Sequence, residues 1–128
     1  MDYYIGRTVA EGFDDTVTRV VEALKKEGFG VLTDIDVAAT LKQKLGIDFR
    51  KYRILGACNP PLAHKALTEE SKIGVMLPCN VIIQEINSGQ TEIAAIDPRT
   101  AMERVGNPAL GAIASEVASR LNRVIELV

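Results

Sequence analysis

The apolar residues of the chain alternate between the two-residue period of strands and the three-to-four-residue period of helices. Strand-like segments are Tyr3–Val9, Phe29–Ile35, Tyr52–Cys58, Cys79–Ile86 and Thr91–Ile96. Helical stripes are Val17, Val20, Val21 and Leu24, then Leu62, Ala63, Ala66 and Leu67, and last Leu110, Ile113, Ala114, Val117, Leu121, Val124 and Ile125. With short helices after Asp36 and Asp97, the predicted order is β-α-β-α-β-α-β-β-α-α.

Polar residues followed by proline or by an apolar run predict where several helices begin. Asn59 before Pro60 and Asn107 before Pro108 are typical N-caps, because asparagine accepts a backbone hydrogen bond and proline suits the first turn. Asp36 is predicted to cap the second helix, and Gly46 to end it. These residues are therefore interpreted first as structural.

A helix with a single apolar stripe must cover one face of a sheet, and the predicted hairpin requires antiparallel pairing. We therefore predict an α+β fold: a two-layer sandwich of a mainly antiparallel sheet, with the helices packed on one face, in a single domain spanning 1–128. The other face of the sheet would remain partly apolar. A homodimer that buries this face or a strand edge is predicted.

Composition and charge narrow the class of function. The 128 residues carry a formal net charge of −2 and only two cysteines. No apolar run approaches the roughly 20 residues of a membrane helix, and the N-terminus lacks the pattern of a signal peptide. Basic residues concentrate in segment 42–72 but form no helical stripe. We predict a cytoplasmic protein with neither a nucleic-acid nor a membrane partner, and the sequence names no reaction and no cofactor.

Both cysteines occur in a Cys-Asn dipeptide, one at the end of a predicted strand and one at the start of another. We expect the helix between them to bring Cys58, Asn59, Cys79 and Asn80 together in a ligand-binding pocket. The two sulfurs could then approach within bridging distance. The amides at the start of this helix, together with Arg53 and Lys65, would favour an anionic ligand.

Four interpretations of these residues stay open. The cysteines could be small buried hydrophobes. Cys58 could be the nucleophile of a thiol-dependent enzyme or redox protein, with Cys79 as its thiol partner or His64 as its base. Cys58, Cys79 and His64 could bind a soft metal ion, such as Cu(I) or zinc with an open position. The domain could also be a purely structural assembly element.

Several motifs, taken in order, resemble those of the family known as domain of unknown function 302. They are Phe29–Asp36, Ile54–Ala63, Leu77–Val81 and Asp97-Pro98. The resemblance implies a small α+β domain that tends to dimerise, and it implies no reaction. Many members lack cysteine at the positions of Cys58 and Cys79, so this chain resembles a cysteine-bearing branch. The resemblance then implies no thiol role shared by the family, and leaves open a thiol or metal role in this branch.

Overall fold

The computed structural model describes residues 2–128 and contains the elements in the predicted order. The strands are β1 (Tyr4–Val9), β2 (Gly30–Asp36), β3 (Tyr52–Cys58), β4 (Cys79–Asn87) and β5 (Gln90–Ile96). The helices are α1 (Phe13–Lys26), α2 (Val37–Leu45), α3 (Pro60–Glu69), α4 (Pro98–Glu103) and α5 (Leu110–Leu127), with a 3-10 helix at Ser71–Met76. The 3-10 helix is the one addition to the predicted order.

The five strands form one antiparallel sheet in the order β1-β5-β4-β3-β2, which confirms the predicted α+β class. Side chains opposite one another in adjacent strands share a face of the sheet. Leu55 of β3 pairs with Val81 of β4, which pairs with Ala95 of β5, and all three are buried in the main core. The helices α1 and α5 supply the other side of this core.

The predicted apolar stripe of α1 is rotated by about one position. The helix buries Phe13, Thr16, Val20, Ala23 and Leu24, whereas Val21 is 37% exposed. Thr16 can be buried because its hydroxyl donates to the Gly12 carbonyl at 2.7 Å. The stripe of α5 is confirmed, with Ala118 buried in addition and Ile113 only partly buried.

Three of the predicted caps form, and the fourth is displaced. The Asp36 carboxylate accepts from the Ala39 amide at 2.9 Å, and Gly46 ends α2 in the left-handed region at φ 67°. Asn59 Oδ1 accepts from the Leu62 amide at 3.3 Å. Asn107 caps a turn ahead of α5 rather than α5 itself, because its Oδ1 accepts from the Ala109 amide at 3.0 Å and the helix begins at Leu110.

The second face of the sheet is partly apolar and is here called the open face. Ile82 pairs with Ile54 on one side and with Ala94 on the other, so all three side chains point to this face. Tyr4 and Ile35 at its two edges are 44% and 47% exposed. As the sequence predicts, the helices leave one side of the sheet partly apolar. Within the described residues, no helix has the length and apolarity needed to cross a bilayer.

Candidate functional site

A cavity of about 250 Å³ lies between α3, the ends of β3 and β4, and helices α4 and α5. Its walls are mostly hydrocarbon. They are formed by Phe29, Leu32, Ala57, Cys58, Asn59, Leu62, Ala63, Ala66, Leu67, Leu77, Pro78, Cys79, Met102, Ile113 and Val117. The described walls contain no charged side chain, so the cavity is suited to a neutral, apolar ligand.

Two strand ends and a helix cap place the sequence-predicted residues at this cavity. Cys58 is the last residue of β3, Asn59 caps α3, and Cys79 is the first residue of β4. The β3–β4 ladder pairs Cys79 with Ala57. Three of the five predicted ligand-binding residues, namely Cys58, Asn59 and Cys79, therefore line the cavity.

Both cysteines are free thiols in different environments. Cys79 is 7% exposed, and its burial, with a smaller effect from Cys58, raises the pKa of its thiol to about 11. Cys58 is half-buried. Because Cys79 is paired with Ala57 and not with Cys58, the two cysteines are not a cross-strand pair. At neutral pH, Cys79 presents an uncharged, polarisable sulfur to the cavity.

The Asn59 side chain is used by the fold. Asn59 is 8% exposed, and its Oδ1 caps α3. Its Nδ2 faces the turn after α1, since a Cβ added to Gly28 would lie 3.0 Å from that nitrogen. Gly28 has φ +83°, so this close approach coincides with a backbone conformation that favours glycine. The start of α3 therefore lies directly against the α1–β2 turn, with the Asn59 side chain between them.

A model of the family described as domain of unknown function DUF302 matches residues 5–128. The chain belongs to the DUF302 family. A crystal structure of an uncharacterised conserved DUF302 protein from Bacillus stearothermophilus superposes with a TM-score of 0.89 at 34% identity, covering 97% of this chain and 96% of that one. No curated protein matches the chain. Neither the family nor the solved relative has an assigned reaction, so none is assignable from them.

Two other predicted ligand-binding residues of this DUF302 chain lie away from the cavity. Asn80 is exposed, because it follows the inward-facing Cys79 and successive strand residues point to opposite faces. Arg53 is held by Asp34 of β2, with its Nε donating to Oδ1 at 2.7 Å and its Nη2 donating to Oδ2. The Arg53 hydrogen bonds lower the pKa of the Asp34 carboxyl despite partial desolvation. Neither side chain contributes to the cavity walls.

The predicted metal-binding trio of Cys58, Cys79 and His64 does not assemble. His64 is exposed on α3 and is not part of the cavity wall. It lies on the side of the helix away from the stripe that faces the cavity. Among residues 2–128, no group of three His, Cys, Asp or Glu side chains is placed to hold a metal ion. His64 therefore does not share the cavity with Cys58.

Most residues of the cavity wall cannot be recognised from the pattern of the sequence. The α3 stripe was visible as an apolar pattern, but only Ala66 in it is buried. Two of its four residues are alanines, whose methyl groups are too short to fill the space between α3 and the sheet. Met102 of α4 and the α5 residues Ile113 and Val117 complete the wall from far along the chain. A helical stripe rich in alanine was the only available sign of unfilled space.

Proposed function

We propose that this DUF302 chain is a homodimeric domain that binds a small, neutral, apolar molecule in the cavity under α3. The supporting observation is an open space of about 250 Å³ with apolar walls inside a domain whose main core is closely packed. Sites for small molecules are typically concave and lined mostly by apolar side chains. Water in this cavity would find few of the two to four polar partners that a buried water needs.

The two cysteines are compatible with the binding of an apolar ligand. A protonated Cys79 thiol contributes a soft surface that packs well against hydrocarbon or an aromatic ring. A thiol-dependent enzyme is less well supported, because His64 is exposed and lies outside the cavity wall. Two unbridged cysteines also fit the reducing conditions of the proposed cytoplasmic location.

The open face supports the homodimer. Three of its polar side chains already pair with one another: Arg50 Nε donates to Gln84 Oε1 at 2.8 Å, and Gln84 Nε2 donates to Glu92 Oε1 at 2.7 Å. These two hydrogen bonds lie between Ile82 and the β4–β5 turn. A second copy of the chain could therefore cover the open face without leaving these three side chains unpaired. Tyr4 and Ile35 are exposed in the single chain, and that contact would bury their apolar surface.

Benzene is a suitable first probe of the cavity, because it is neutral, compact and apolar. The substitution Ala63→Phe would fill the space from the α3 side, while Ala39→Phe makes the same change at an exposed position of α2. We expect benzene to cause saturable amide chemical-shift changes at Ala57 and Ala66 in the native chain and in Ala39→Phe, and none in Ala63→Phe. Absence of saturable binding to the native chain, or its survival in Ala63→Phe, would reject the ligand proposal.

The dimer proposal has a separate test in sedimentation equilibrium. Ile82→Arg places a charge at the centre of the open face, and Leu127→Arg places one at the exposed end of α5. We expect the native chain and Leu127→Arg to sediment as dimers and Ile82→Arg as a folded monomer. A native monomer, or an Ile82→Arg dimer, would contradict the proposed interface.

A further inference from the structure

Apolar surface continues from the cavity wall out to the exterior of the protein. Leu32 and Leu67 line the cavity and yet are 67% and 43% exposed. The 3-10 helix passes beside Leu67, since a Cβ added to Gly74 would lie 3.8 Å from Leu67 Cδ2. Val75 and Met76 of this helix are 88% and 37% exposed. We call the exposed residues Leu32, Leu67, Val75 and Met76 the apolar rim.

The cavity itself offers little to a charged or strongly polar group. Its only amide side chain, Asn59, already caps α3 and packs against Gly28. The Cys79 thiol is protonated at neutral pH. A buried charge without a partner is costly, so a charged part of any ligand would stay outside. The portion of a ligand inside the cavity must therefore be hydrocarbon.

From the cavity and the rim together, we infer that the ligand is a single-chain aliphatic amphiphile. The end of its chain fills the cavity, the following methylenes lie along the apolar rim, and its polar head remains in water. This inference rests on the proposed ligand-binding function and specifies its ligand class. At ~30 Å³ for each water-sized group, 250 Å³ holds about eight such groups. A compact ligand would fill that space and leave the rim bare, whereas a longer chain covers both.

The test is a series of primary alcohols from hexan-1-ol to decan-1-ol, titrated calorimetrically into the full chain below the solubility limit of each alcohol. Each further buried methylene should tighten Kd roughly fourfold. We expect this gain to continue through decan-1-ol in the native chain. In the double variant Leu67→Ser with Val75→Ser, we expect it to stop once the cavity is full. The single variant Leu127→Ser removes a leucine that is 54% exposed at the end of α5, away from the rim, and should behave like the native chain.

The outcomes separate this inference from the function on which it rests. Suppose that benzene binds, but the gain in affinity with chain length ends at the same alcohol in the native chain and in the rim variant. That result would reject the amphiphile and leave the proposed ligand-binding cavity standing. Failure of both benzene and the alcohols would overturn both. If the rim variant instead loses dimer mass in sedimentation, a second copy covers the rim and the amphiphile is rejected. Rim-dependent pelleting of the native chain with phosphatidylcholine vesicles would reject it in favour of a lipid surface.

Discussion

The helix layer of this protein is packed differently at its two ends, although both ends rest on the same sheet. Under α1 and α5, the side chains of Val20, Leu24, Leu121 and Val124 are completely buried. Under α3, only Ala66 of the helix is buried, and Leu67 is 43% exposed. The first end consists of large branched side chains that interlock, whereas the second presents alanines and leaves a cavity.

This difference shows how one helix layer can hold the fold and still leave an open cavity. The α1–α5 end removes the most apolar surface from water, and it therefore supplies most of the hydrophobic stabilisation. The α3 end has only a smaller buried cluster, made of Ala66, Ile73, Met102, Leu110 and Ala114, and its helix is capped by the Asn59 side chain. The cavity can stay open because the rest of the helix layer does not depend on it for stability.

We expect the largest difference between the two ends in the free energy of unfolding lost when a leucine is replaced by alanine. Leu121→Ala removes a fully buried side chain from the main core and should lower the free energy of unfolding by about 2–5 kcal/mol. Leu62→Ala enlarges a cavity that is already open and should cost about 1 kcal/mol or less. Urea unfolding curves of both variants measure the contrast. Equal losses would show that the α3 end is packed as tightly as the core.

Cys79 belongs both to the main core cluster and to the cavity wall, where the two ends of the helix layer meet. Its buried thiol predicts that the free energy of unfolding falls at alkaline pH. Burial raises the pKa of its thiol from 9.0 to about 11, so the folded state holds this proton more firmly than the unfolded chain. The resulting stability is complete below pH 9 and is lost as the pH rises through about 11. Between pH 8 and pH 10, we expect a loss of roughly 1 kcal/mol from this group.

Guanidinium unfolding at pH 8 and pH 10 measures this loss, and two cysteine variants isolate it from other titrating groups. Cys79→Ala should flatten the pH dependence by the amount that Cys79 contributes. Cys58→Ala, at the half-buried position, should keep most of it, because burial is the larger cause of the raised pKa of Cys79. An unchanged slope in Cys79→Ala would mean that the buried thiol does not titrate differently in the folded and unfolded states.

Removing the cap of α3 should lower the free energy of unfolding by an amount similar to or smaller than the loss from Cys79. Asn59→Ala removes the acceptor of the Leu62 amide and should cost about 1 kcal/mol of stability. Asp36→Ala makes the matched change at α2, a helix that buries none of its residues, and should cost less. Hydrogen exchange at the Leu62 amide should accelerate in Asn59→Ala and not in Asp36→Ala. Unaltered exchange there would contradict the role of Asn59 in holding the cavity end.

The features that could be predicted from the sequence are those determined by near neighbours. Asp36 and Asn59 cap their helices because each accepts from an amide three residues ahead. The order of strands and helices along the chain and the partly apolar open face follow from periodicity and from the single stripes of the helices. The two Cys-Asn dipeptides look alike in sequence, but Asn59 follows a strand, whereas Asn80 is within one. The two-residue period of β4 turns Asn80 away from Cys79, and this local rule was sufficient to separate them.

The cavity could not be predicted, because its walls come from distant parts of the chain. Met102 and Ile113 reach it only through the positions that α4 and α5 take against α3. A local pattern indicates that a residue is apolar, but not whether its neighbours fill the space around it. The partner of Arg53 was hidden for a related reason: the β2–β3 register, with its irregularity between Val31 and Thr33, brings Asp34 within reach.

Arg53 gives the smallest expected effect and tests the sequence-based assignment of a ligand-binding role to it. Its ion pair with Asp34 is close to the surface, with 27% and 41% of the two side chains exposed, so Arg53→Gln should cost about 0–1 kcal/mol. Asp34→Asn should cost a similar amount, and the double variant should add little to either. Because Arg53 lies outside the cavity wall, benzene and alcohol affinities should match those of the native chain in all three variants. A loss of affinity in Arg53→Gln alone would extend the binding site from the α3 end of the molecule to the β2–β3 edge.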